Sequence, residues 1–167
     1  MESKKRIIYL HAQYYHPTHG KYAEILGASF FRMDGFFNLS LFRRSKIKTY
    51  LNIIFALFRF PYRKFDAILT DGPDLLPILL KKISFNRLKL ISTQGNELLV
   101  YYFNGQFSSK QEYLYRKVFN GYDLIICLGD IQYKLATELC AKNNRIKLVS
   151  TFNGVGEKRY KELKEII

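Results

Sequence analysis

The side chains that could do chemistry fall into short groups, each at the end of an apolar run: His11 with His16, His19 and Gly20, then Asp71-Gly72, Gln94-Gly95 with Glu97, Gly129-Asp130, and Asn153-Gly154. His16 and His19 have the spacing that could ligate a metal on a helix, but Pro17 puts them on a loop with no carboxylate nearby. No metal site is expected there. Gln94 can donate and accept hydrogen bonds but cannot titrate. There is no Walker loop, no G-x-G-x-x-G, no C-x-x-C pair and no nucleophile elbow. Any activity must therefore come from strand-end residues converging on one crevice, and each of them read alone is an ordinary turn residue.

The runs that position these groups read as strands separated by helices. Residues 6–11 form the first strand, and a polar and aromatic loop, residues 12–20, follows it. Residues 21–31 are expected to be helical, with Tyr22, Ile25, Leu26 and Ser29 on one side and first-turn amides pointing back at the loop. Residues 35–42 are expected as the second strand. Between residues 46 and 60, Ile47, Tyr50, Leu51, Ile54, Phe55 and Phe58 recur at helical spacing, and Pro61 closes the segment. Two readings stay open there: a core helix packed on the sheet, or a helix partly seated in a membrane interface.

Residues 65–70 make a third strand, and Asp74 starts a helix over 75–82 that tolerates Pro77 in its first turn. Residues 88–93 form the fourth strand, and residues 98–107 are ambiguous. A helix over 109–119 is capped by Ser109 and presents Leu114, Tyr115, Val118 and Phe119 on one face. Residues 124–128 are continuously apolar, as suits a strand buried on both faces. Asp130 caps a helix with Ile131, Leu135, Leu139 and Cys140 on one face, and residues 145–149 form the last strand. A charged helix closes the chain from residue 157 to 167. The fold class expected is α/β, a Rossmann-like doubly wound parallel sheet of about six strands with helices on both faces.

The order aspartate, apolar strand, small turn, helix, basic-apolar strand and Asn153-Gly154-Val155 resembles the end of the N-terminal domain in retaining glycosyltransferases of the GT-B fold, specifically glycosyltransferase family 4. Thr93-Gln94-Gly95-Asn96-Glu97 resembles the family's strand that ends in His-Gly with an acidic residue two further on, and Gln94 takes the place of the histidine facing the sugar. The resemblance implies an acceptor-binding domain over residues 1–156, with 157–167 a C-terminal helix or the start of an interdomain segment. It also implies a nucleotide-sugar donor as substrate rather than a cofactor. The chain stops twelve residues after Val155, so most of the donor-binding half would be missing or separate.

Charge and composition bound the rest. At 167 residues the chain has room for one domain with a substantial core. Net charge is +13, and residues 35–65 hold Arg43, Arg44, Lys46, Lys48, Arg59, Arg63 and Lys64 with no acidic residue. The excess suits an anionic partner: a phosphorylated substrate, an acidic lipid surface, a lipid-linked acceptor, or less readily nucleic acid. It also suits a solvated face in a composition rich in lysine, asparagine and aromatics. Cys127 and Cys140 read as buried free thiols in a reducing compartment. No signal-peptide core and no run near the roughly 20 residues of a spanning helix are found, so a cytoplasmic chain, at most peripheral at the inner membrane face, is expected. Beside the glycosyltransferase stand two rivals: a non-enzymatic Rossmann-like domain binding nucleic acid or an anionic surface, and a small self-sufficient α/β enzyme.

Overall fold

The computed structural model describes residues 6–11, 23–32, 54, 58, 64–94, 98–140 and 146–150. Six strands form one parallel sheet: β1 (Ile7–His11), β2 (Ser29–Arg32), β3 (Ala67–Asp71), β4 (Lys89–Gln94), β5 (Leu124–Cys127) and β6 (Lys147–Ser150). Their order across the sheet is β2-β1-β3-β4-β5-β6. Among the described residues four helices connect them: α1 (Leu75–Ile83), α2 (Leu98–Phe103), α3 (Ser109–Phe119) and α4 (Asp130–Cys140), beside a helical turn at 23–25 and helical positions at 54 and 58. This is the α/β, Rossmann-like architecture expected from the run of apolar strands.

Handedness decides which face each helix covers. The chain steps one way from β1 to β2 and the other way from β3 through β6, so right-handed crossovers must put the two sets of connections on opposite faces. Side-chain packing agrees. Leu76 and Leu80 of α1, Tyr115 and Phe119 of α3, and Ala136 and Leu139 of α4 join Ile8, Ile68, Leu90 and Ile125 in one core cluster. Ala23 and Leu26, beside the helical turn 23–25, join Tyr9, Leu69, Ile91 and Ile126 on the other face. Burial on both faces is why all four residues of β5 are apolar and inaccessible.

Four local expectations are corrected. The helix expected through Phe31 ends early, because Gly27 takes φ +64 and closes it with Gly27 N–H on the Glu24 carbonyl and Ala28 N–H on that of Ala23. Ser29–Arg32 then pairs with β1 as the second strand. The second strand expected at residues 35–42 lies outside the described residues. Ser108, not Ser109, caps α3, closing a capping box in which the Ser108 N–H donates to Gln111 Oε1 at 2.8 Å. Gly129, not Asp130, holds the cap position of α4, since its carbonyl accepts the first helical bond, from Tyr133 N–H at 3.0 Å. Ile131 leaves the expected apolar face of α4: it is 68% exposed, while Ala136, Leu139 and Cys140 are buried. The ambiguous segment 98–107 resolves into α2 and a turn at Gly105 with φ +66.

Cys127 and Cys140 are free and buried, as expected, and burial raises both thiols, Cys127 to about 12. Beside them an aromatic group, Tyr102, Phe107, Tyr115 and Phe119, fastens α2 to α3 with ring centroids 5.5 to 5.7 Å from Tyr115. Among these, the Tyr115 hydroxyl is buried without a hydrogen-bond partner. Leaving such a donor unmade costs on the order of 1 kcal/mol, so Tyr115→Phe should match or exceed the parent stability by about that amount in urea denaturation. A loss above about 1 kcal/mol would show that the hydroxyl has a partner in solution.

Candidate functional site

All strands being parallel, their carboxyl ends share one edge, and that edge collects part of the expected site. His11 ends β1, Asp71 ends β3, Gln94 ends β4, and Gly129-Asp130 follows β5. Register brings them closer than topology alone requires. Leu10 pairs with Thr70 and Asp71 with Thr93, so His11, Asp71 and Thr93 stand in one row and Gln94 one residue beyond, opposite Cys127. The order of strands reverses between β1 and β3, which is where an open α/β sheet leaves a crevice at its carboxyl edge. His11 and Asp71 flank that point.

Two hydrogen-bond groups shape this edge. On the face opposite α1–α4, the fully buried Tyr9 ring packs against Phe30 at 5.5 Å, and its hydroxyl donates to Asp71 Oδ1 at 2.5 Å. The Asp71 carboxylate is thereby held by a side chain rooted in the neighbouring strand. The second group is buried beneath the β3–α1 turn. Thr70 Oγ1 donates to the Gly72 carbonyl at 2.7 Å and lies 3.0 Å from the Tyr122 hydroxyl, which accepts the Asp74 N–H at 2.9 Å. Asp74 Oδ1 in turn accepts Leu76 N–H at 3.3 Å as the N-cap of α1. Burial pushes the Asp74 carboxyl up to about 7, against the opposing pull of its backbone hydrogen bonds. Burial also raises the Tyr122 hydroxyl, and the neighbouring Asp74 adds to that.

Nothing in the sequence marks Asp74, Thr70 or Tyr122 as a site residue. The Asp-Gly-Pro-Asp run signals a turn and a cap, but the burial that changes Asp74's proton affinity comes from packing. Of the residues expected to bind at the cleft, His16, His19, Gly20, Gly95, Glu97, Asn153 and Gly154 lie outside the described residues. So do Arg43, Arg44, Lys46, Lys48, Arg59 and Arg63 of the expected anion-binding segment. Lys64, the last of that segment, is exposed just ahead of β3, at the sheet's amino edge. Asp130 is exposed in the first turn of α4, where its charge complements the helix dipole.

Among the described residues no cluster of three or more histidine, cysteine or carboxylate side chains is arranged for a metal ion, and no helix is long and apolar enough to cross a membrane. No protein-family model matches the chain, and no curated protein matches it.

Proposed function

We propose that this chain is the acceptor-binding domain of a retaining glycosyltransferase resembling family 4, acting together with a donor-binding domain. The observation that carries the reading is the carboxyl edge itself: a parallel sheet whose reversal point is flanked by His11 and Asp71, with Gln94 one row away. That is where a sugar-transfer crevice belongs in such a sheet. In this reading Asp71, fixed by Tyr9, orients an acceptor hydroxyl, and Gln94 hydrogen-bonds the transferred sugar without exchanging protons. The resemblance assigns Glu97 and Asn153-Gly154 to binding at the cleft. The acceptor is anionic or lipid-linked and meets the basic segment from Arg43 to Lys64.

In keeping with a partly membrane-seated segment, Ile54 and Phe58 are helical and 50% and 86% exposed, so at these two positions the apolar stripe does not pack on the sheet.

The test is complementation. The chain mixed with candidate donor-binding domains and a UDP- or GDP-sugar should transfer the sugar to a lipid-linked acceptor, and the chain alone should not. With an active pair, Gln94→Ala should lower kcat by about a hundred- to a thousandfold, the usual scale for losing one transition-state hydrogen bond. Turnover by the isolated chain would overturn the proposal. The second reading, a non-enzymatic basic domain, is favoured by the exposed cations Arg6, Lys64, Arg87, Lys89 and Lys147 at the amino edge, although Arg32 ends β2 beside His11 at the carboxyl edge. Steeply salt-dependent retention on RNA or DNA without transfer activity in any pairing would establish it.

A further inference from the structure

The edge opposite the candidate site is basic. Every strand of a parallel sheet begins there, and the exposed residues that precede or open the strands include Arg6 before β1, Lys64 before β3, Arg87 and Lys89 at β4, and Lys147 at β6. Helices α1 and α3 return to the same edge and end in Lys81-Lys82 and Arg116-Lys117. Asp66 pairs with Arg6, and Asp123 pairs with Lys81 at 2.6 Å and more loosely with Lys89 at 4.0 Å, the Lys89 side chain staying 68% exposed. Helix dipoles explain cations in the last helical turns, at about half a charge per helix. They do not explain the cations that open strands.

Nor do they explain the loop that stands out of this edge. At the end of α1, Phe85 N–H donates to the Lys82 carbonyl at 3.1 Å and Asn86 N–H to that of Lys81 at 2.9 Å. This closing pattern requires a left-handed residue, and at the equivalent positions after residues 23–25 and after α2 the chain uses Gly27 and Gly105. After α1 it uses Phe85, at φ 53, followed by Asn86 at φ 60. The Phe85 side chain is 89% exposed and Ile83 is 43% exposed. An aromatic ring is thus held out in water, at a position where glycine would fit better, among Lys82, Arg87 and Lys89.

We propose that the 82–89 segment is a docking element for an anionic lipid surface, with Phe85 and Ile83 entering the boundary between headgroups and acyl chains and Lys82, Arg87 and Lys89 contacting lipid phosphates. An aliphatic side chain beside the ring favours lipid over nucleic acid, which would use the cations and the ring face but has no place for Ile83. The proposal needs no sugar chemistry and stands whether or not the glycosyltransferase reading does.

Co-sedimentation of the full chain with phosphatidylcholine vesicles, with and without phosphatidylglycerol, tests it. The parent should bind only the anionic vesicles. Phe85→Gly relieves the left-handed backbone, so it should raise the thermal midpoint while weakening vesicle binding roughly tenfold, the scale of losing one buried aromatic side chain. The pair Lys82→Glu and Arg87→Glu should abolish binding, and Ile131→Ser, on an exposed apolar residue near the other edge, should leave it intact. Three results would overturn the proposal: Phe85→Gly binding like the parent, Ile131→Ser losing as much as Phe85→Gly, or retention on nucleic acid but not on vesicles at matched salt.

Discussion

Asp123→Ala should lower the free energy of unfolding by about 2 to 4 kcal/mol, the largest loss expected from any single surface-edge substitution in this chain. The residue lies just ahead of β5 and ties four elements together. Its Oδ2 accepts the Lys81 ammonium of α1 at 2.6 Å and the Leu90 N–H of β4 at 2.8 Å. Its backbone N–H donates to the Leu90 carbonyl, and its carbonyl accepts the Lys147 N–H of β6, each at 3.0 Å. The side chains of Lys81 and Asp123 are 17% and 29% exposed, so alanine would leave a half-buried ammonium and a strand N–H without their acceptor.

Asp66 offers an internal comparison, because it occupies the same place ahead of β3 and accepts the Arg6 N–H at 2.9 Å. Its ion pair with Arg6 is 3.5 Å long, and both side chains are about half exposed or more. Solvent screening holds such a pair to less than about 1 kcal/mol. Urea denaturation of Asp123→Ala, Asp123→Asn and Asp66→Ala should rank them in that order of loss. Asparagine keeps an acceptor for Leu90 and loses only the charge. Equal losses for the two aspartates would show that burial does not set the difference.

The same residues show what a sequence can and cannot announce. The aspartate ahead of an apolar run was visible at residue 123, and so were the runs that became β3, β4 and β5, because Asp-Gly-Pro and Gly-Asp punctuation bounds them closely. The strand at Ser29–Arg32 was not visible, since helical spacing runs through Gly27 and only the left-handed closure there ends it. The cap of α3 was not decided by spacing: Ser108 with Gln111 and Ser109 with Glu112 both fit a capping box, and the structure closes the first of them. The carboxyl edge followed from parallel topology once six strands were recognised. The hydrogen bonds that tune it did not, because Tyr9 and Asp71 are 62 residues apart and Tyr122 and Asp74 are 48 apart. No local pattern encodes a pairing over that distance.

Asp74→Asn should change how stability depends on pH more than it changes the fold. Asparagine is as good an N-cap as aspartate, so the bond to Leu76 N–H survives, and with it the start of α1. What disappears is a proton. In the unfolded chain the Asp74 carboxyl titrates near its ordinary 3.8, and in the folded protein burial holds it up at about 7. Between those values the folded state binds a proton that the unfolded state has released, so the parent loses stability as pH rises from about 4 to about 7 and then levels off. The variant lacks that decline. At pH 4 the two should be equal, and at pH 8 Asp74→Asn should be the more stable by about 2 to 4 kcal/mol, since each pH unit between the unfolded and folded titration points is worth about 1.4 kcal/mol. Tyr122→Phe separates burial from hydrogen bonding, because it strips the hydroxyl from Thr70 and from the Asp74 N–H while leaving the ring in place. It should lower stability at every pH while leaving the fall between pH 4 and 7 in place. Parallel stability curves for the parent and Asp74→Asn would mean that water reaches the carboxyl in solution, and the candidate site would then hold no group that changes charge near neutrality through Asp74.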